Sequence, residues 1–132
     1  MNFDPVGRTE SGEMYMKFNI PFKPIEKIQL LQRWILVQSF AYYELNSNIA
    51  TDFAYDENAK QLVELMKTHP EEAERSRYNE YFHDYCPADD DVHYTSGFDL
   101  LERVRTSNPQ LYRYLHIDAA MALDSKEKNK NA

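Results

Sequence analysis

The sequence predicts an all-α fold: a small helical domain of about five helices around a helix-turn-helix corner, with an extended N-terminal arm. Three observations predict it. Apolar residues recur at helical spacing through most of residues 24–123. Residues that start helices (Thr51-Asp52, Pro70, Ser96, Pro109) stand at the head of each such run. Only residues 13–21 alternate with a period of two over any length.

Residues 1–12 are polar, contain Pro5 and two of the three glycines, and read as a loose arm. In residues 13–21, Met14, Met16, Phe18 and Ile20 fall on one side and Tyr15, Lys17 and Asn19 on the other, as in a strand. Its one internal candidate partner is Val92-His93-Tyr94. The alternatives are packing across helices or pairing with another chain. Pro24 opens a central helix with Ile28, Leu31, Ile35 and Tyr42 on one face and Leu30, Trp34, Val37 and Ala41 beside them. It ends near Leu45, where Asn46-Ser47-Asn48 supplies turn chemistry. Thr51 or Asp52 caps the second helix, expected to run to about Lys67 and to bury Phe53, Leu62, Leu65 and Met66.

Pro70, Glu71 and Glu72 suit the start of a third helix, running to about Tyr85 with Tyr78, Tyr81, Phe82 and Tyr85 in one stripe. Cys86-Pro87 ends it, and residues 88–91 form an acidic loop. Thr95 or Ser96 caps a fourth helix, with Asp99 placed for a capping box. Asn108-Pro109 opens a fifth, carrying Leu111, Tyr114, Leu115, Ala119, Met121 and Leu123. Residues 1–123 are expected to form one domain, of which 1–22 is the arm. The Lys/Asn/Glu-rich tail 124–132 is expected to be disordered.

Composition narrows the function. A net charge of −7 over 132 residues lacks the basic face that duplex DNA needs, so direct duplex binding is not expected. Cys86 is the single cysteine, so no intrachain disulfide forms, which fits a reducing compartment. The charged N-terminus shows no apolar signal core, and Trp34 to Val37 is too short an apolar run to span a bilayer. The expectation is a cytoplasmic protein without membrane partners.

The chemistry concentrates at the corner between the first two helices. Tyr42, Tyr43, Asp52, Tyr55 and Asp56 gather three phenol rings and two carboxylates there, a set suited to a flat, positively charged ring. The structural alternative is that Tyr42 and Tyr55 fill the corner and Asp52 is only a cap. His83, Cys86, Asp89, Asp90, Asp91 and His93 include metal-ligand types without zinc or calcium-loop spacing, so no metal is expected. The Ser96-Gly97-Phe98-Asp99 turn either approaches a ligand through its backbone or simply starts a helix. No Ser/His/Asp or Cys/His order suggests a nucleophilic enzyme.

Residues 41–71 resemble the small N-terminal Ia domain of bacterial NAD-dependent DNA ligases. That domain reads Tyr, then Tyr or His, a turn, Asp-x-x-Tyr-Asp, and a helix closing on His-Pro-Glu. Here the elements are Tyr42, Tyr43, Asp52, Tyr55, Asp56 and His69-Pro70-Glu71, with no gap between them. The resemblance covers about a quarter of the chain. It implies a nicotinamide mononucleotide (NMN) or NAD site lined by Tyr42, Tyr43, Asp52, Tyr55 and Asp56. Two departures stand out: Asn48 where the family has proline in the turn, and Glu57-Asn58 where it has Arg-Leu. The chain also lacks a Lys-x-Asp-Gly motif, so the adenylated lysine of ligases is missing and no ligase catalysis is expected. Arg33, Arg75 and Arg77 are the cations nearest in sequence that would offset the repulsion of a phosphate by Asp52 and Asp56.

The resemblance implies a stand-alone relative of the kind found in a phage or mobile element. Two functions follow. One is a nicotinamide-nucleotide-binding accessory or sensor. The other is an acidic interaction protein that inhibits or recruits a nucleic-acid enzyme through Glu71, Glu72, Glu74, Glu80, Asp84 and residues 89–91.

Overall fold

The computed structural model describes residues 6–8, 14–16, 22–88 and 94–130, with side chains from 22 to 88 and from 94 to 128. In chain order the elements are β1 (Val6–Arg8), β2 (Met14–Met16), α1 (Pro24–Glu44), α2 (Asp52–Thr68), α3 (Pro70–Arg75), α4 (Asn79–Phe82), α5 (Gly97–Ser107) and α6 (Pro109–Lys130). The protein is an all-α domain with one short ribbon at its N-terminal end.

Helix α1 is the axis, with α2, α3, α5 and α6 packed against it. Its residues from Ile35 to Ala41 are all buried, so the helix has no solvent face there. That is why the apolar stripe in its sequence is so wide. Ile28, Leu31, Leu36 and Phe40 meet Leu62 of α2, Leu100, Leu101 and Val104 of α5, and Leu115 and Ala119 of α6 in one core. Phe40 stacks on His116 and meets Tyr112 edge-on, with ring centroids 5.2 Å and 5.0 Å away. Each fully buried aliphatic side chain of this kind contributes about 1.5–3 kcal/mol over its exposed state.

Polar ties fix the orientation of the helices. Arg33 donates from Nε and Nη2 to Asp118 Oδ2 at 3.1 and 2.6 Å, and from Nη1 to Tyr78 Oη at 3.2 Å. It joins α1, α6 and the turn before α4. Gln32 donates to Ser76 Oγ at 3.1 Å in the interior. Arg103 joins α5 to α4 through the Tyr81 carbonyl and Asp84. Ser96 caps α5, and its Oγ and the Asp99 carboxylate form the expected reciprocal capping box.

Four expectations need correction. The strand occupies Met14–Met16, and its antiparallel partner is Val6–Arg8 from the supposed loose arm, in register Val6↔Met16, Gly7↔Tyr15 and Arg8↔Met14. Of the alternative partner segment, Val92 and His93 lie outside the described residues. The third helix is two short ones, broken at 76–78 where Ser76 takes an extended conformation and its hydroxyl donates back to the Ala73 carbonyl. The aromatic stripe still enters the core, with Tyr78, Tyr81 and Phe82 buried and Tyr85 partly so. The tail from Asp124 is helical through Lys130, as the last turns of α6, supported by a Lys128–Asp124 pair and by Lys126, which reaches the Asn48 carbonyl. Phe53, expected in the core, is 64% exposed, because the buried face of α2 is set by Ala54, Asn58, Ala59 and Leu62. Among the described residues, no helix is long and apolar enough to cross a membrane.

Candidate functional site

Tyr42 and Tyr43 sit in the last turn of α1, and Asp52, Tyr55 and Asp56 in the first turns of α2. Between them the chain must reverse within residues 45–51. Asn46 adopts φ 51°, a left-handed conformation that Asn tolerates better than most residues. The Ala41 carbonyl closes the end of α1, accepting from the N–H groups of Leu45 and Ser47 at 3.2 and 3.0 Å. Thr51 then caps α2, its Oγ1 accepting from Ala54 N–H at 3.1 Å.

This reversal brings all five sequence-selected residues to one cavity of about 340 Å³. The cavity also draws on Gln38 and Ser39 of α1, Asn48, Ile49 and Ala50 of the reversal, Tyr94, and Gly97 at the start of α5. A larger, more open groove of about 490 Å³ lies between Val63, Met66, Pro70, Ala73 and Tyr85. It holds none of the five residues.

The five residues differ in what they are free to do. Tyr42 is 55% exposed and Tyr43 43%, and their rings meet edge to face at 4.8 Å. Tyr43 in turn meets Phe98 at 5.9 Å. Burial pushes the Tyr43 phenol up, helped by Tyr94 and Tyr42. Tyr55 is mostly buried, and its hydroxyl pairs with Ser39 Oγ at 3.2 Å. Burial pushes its phenol up as well, and that of neighbouring Tyr85 much further. These rings therefore stay neutral at pH 7, offering faces and hydroxyls. Asp52 and Asp56 are exposed at the start of α2.

The cations expected near the site lie elsewhere. Arg33 is committed to Asp118 and Tyr78, and neither Arg75 nor Arg77 lines the cavity. Lys126 donates to the carbonyl of Asn48, one of the lining residues, at 2.8 Å. Among the described residues, no group of three His, Cys, Asp or Glu side chains is placed to hold a metal ion.

Sequence reading missed Gln38, Ser39 and Tyr94. Gln38 is only 5% exposed, yet its Nε2 has no hydrogen-bond partner among the described residues. A buried amide without a partner costs roughly 1–3 kcal/mol, and this one lies beneath the cavity wall, shut off from solvent. The signal was present: Gln38-Ser39 interrupts the apolar run of α1 with two buried polar residues. Gly97 explains how α5 reaches the cavity. A Cβ there would stand 2.6 Å from Ser39 Oγ and 3.1 Å from Tyr43 Cε2. The turn at Ser96–Asp99 is thus a helix start that also forms part of the wall.

Comparison with known proteins gives a partial match. A stretch of 52 residues is 36% identical to the DNA ligase of Thermotoga petrophila, and a DNA ligase of Thermotoga sp. (strain RQ2) matches to the same extent. Part of this chain is DNA ligase-related. The matched stretch is 39% of this chain and 8% of each ligase. No protein-family description matches the chain, and no solved structure does.

Proposed function

We propose that this chain is a nicotinamide-nucleotide-binding accessory or sensor module, akin to the small N-terminal domain of NAD-dependent DNA ligases and without ligase catalysis of its own. The observation that carries this reading is the convergence of Tyr42, Tyr43, Asp52, Tyr55 and Asp56 on one cavity. The ligase match of the chain agrees with it. Oxidised nicotinamide is a planar cation. An aromatic face on such a cation contributes about 0.5–2 kcal/mol, more as water is excluded. Tyr42 and Tyr43 offer that surface, and the two carboxylates accept from ribose hydroxyls and favour the charge.

The test is an NMR titration of the full chain with NMN and with NAD. Signals of Tyr42, Tyr43, Asp52, Tyr55, Asp56 and the Gln38 side-chain amide should move, and those of α3 should not. If millimolar NMN and NAD leave all six unmoved, the reading as a nicotinamide-nucleotide site fails. The second reading, an acidic interaction protein acting on a nucleic-acid enzyme, draws on Phe53 and Phe98, large rings left 64% and 48% exposed, each next in sequence to an aspartate, Asp52 and Asp99. It predicts capture of one basic nucleic-acid enzyme, released by salt.

A further inference from the structure

We infer that the outer face of α6 is a docking surface for a second copy of this chain, the two α6 helices pairing antiparallel about a two-fold axis. The inference is independent of the nicotinamide reading, since no residue of α6 lines that cavity. It starts from a helix with two apolar faces. Leu115 and Ala119 are fully buried in the core. On the opposite face Tyr114, Ile117 and Met121 are each at least half exposed. Their spacing of three and four residues is the repeat that lines up side chains along a helix–helix seam. Single exposed apolar residues are normal on any surface. A continuous apolar stripe on a helix whose other face already fills the core marks a contact surface.

The charges beside the stripe select the occupant and its direction. By helical spacing Arg113 and Asp124 lie on the same flank of the stripe, one near each end, with the small Ala120 between them. All three are exposed. Arg113 makes no ion pair or hydrogen bond among the described residues. Asp124 holds Lys128 of its own helix at 3.1 Å, in an exposed pair that contributes little and exchanges readily. A parallel pair of α6 helices would set Arg113 against Arg113 and Asp124 against Asp124. An antiparallel pair centred near Ile117 sets Tyr114 on Met121 of the other copy, Ile117 beside its equivalent, and each Arg113 within reach of the other copy's Asp124. Each unlike contact forms twice, as two-fold symmetry requires. The stripe is therefore complementary to itself, and in one direction only. Such an interface is small, near the lower bound of about 1,200 Å² for stable complexes, so the dimer is weak and concentration-dependent.

The experiment is sedimentation equilibrium of the full chain from micromolar to millimolar concentration, in moderate salt that screens the repulsion between two copies of net charge −7. A monomer–dimer equilibrium is expected in that range. Ile117→Glu sets two carboxylates at the two-fold axis. It should abolish the dimer and leave the unfolding temperature near that of wild type, because the residue is exposed. Arg113→Asp should weaken the dimer about tenfold, since two exposed charge pairs turn from attractive to repulsive. Combining Arg113→Asp with Asp124→Arg should restore it. These charge variants carry the test if Ile117→Glu fails to fold. A chain that stays monomeric at millimolar concentration overturns the proposal and leaves the face to a different protein. A dimer that survives Ile117→Glu is built on another surface and overturns it too. A dimer lost in Ile117→Glu yet indifferent to Arg113→Asp overturns the antiparallel pairing.

Discussion

Replacing Gly97 with alanine tests the packing that brings α5 to the cavity. The added Cβ would meet Ser39 Oγ at 2.6 Å, Ser39 Cβ at 3.0 Å and Tyr43 Cε2 at 3.1 Å. Ser39 has little room to yield, because it is 1% exposed on a fully buried stretch of α1 and its hydroxyl holds Tyr55. Overpacking of this kind costs about 1–3 kcal/mol, and the better helix propensity of alanine returns at most about 0.5–1 kcal/mol. The net expectation is a loss of about 1–2 kcal/mol. For a chain of this size that lowers Tm by roughly 4–10 °C. Urea unfolding followed by circular dichroism measures it. Ser39→Ala removes the closest atom, so in a double-mutant cycle the pair should lose less than the two single losses combined, by about 1 kcal/mol. A Gly97→Ala protein as stable as wild type, or strictly additive losses, would refute the close approach of α5 to α1.

Three further outcomes follow from other parts of the molecule. Asn58 is 1% exposed with both amide atoms unpartnered among the described residues, so Asn58→Leu should raise stability by about 1 kcal/mol in urea unfolding; a loss of that size would mean the amide has a partner. The Arg103 guanidinium holds the Asp84 carboxyl below the usual carboxylate range, so its contribution is present at neutral pH and fades as pH falls through that lowered value. Asp84→Asn should therefore lower Tm slightly at pH 7 and leave it unchanged near pH 2, and an equal deficit at both would remove the ion pair as the cause. Incubation with NAD or ATP should add no adenylyl mass to the protein, because the sequence holds no Lys-x-Asp-Gly; a stoichiometric adduct would contradict the non-catalytic proposal.

The legible parts of this fold were those fixed by local chemistry. Pro24, Thr51, Pro70, Ser96 and Pro109 each mark a helix start in the structure, because capping and proline geometry depend on a few adjacent residues. The convergence of Tyr42, Tyr43, Asp52, Tyr55 and Asp56 followed from one short reversal, and is local for the same reason. Side-chain exposure was less legible. Tyr42 and Phe53 share helical spacing with core residues, yet they lie at the helix ends where the packing partner runs out. At the break at 76–78 the local bond from Ser76 to the Ala73 carbonyl is joined by a buried contact between Gln32 and Ser76, 44 residues apart, which no local pattern encodes. Tyr94 and Gly97 join the cavity through the docking of α5 on α1, which is likewise non-local.

Whether Asp52 serves the fold or a ligand turns on which residue caps α2. The sequence offered Thr51 or Asp52, and in the structure the capping bond belongs to Thr51. The Asp52 carboxylate is left exposed on the cavity, with no hydrogen bond or ion pair among the described residues. The two positions should therefore separate in experiment. Thr51→Ala removes a cap and should cost about 1 kcal/mol of stability. Its effect on NMN affinity should be small, because Thr51 is not among the residues that line the cavity. Asp52→Asn removes a charge that only favours the helix dipole, and should cost a few tenths to about 1 kcal/mol. Its larger effect should be on affinity, a loss of about threefold or more at low salt, as for one carboxylate facing a cation through partly excluded water. Calorimetry and urea unfolding on both variants decide the matter. If Asp52→Asn destabilises the fold as much as Thr51→Ala and leaves affinity intact, the carboxylate belongs to the helix and not to the site.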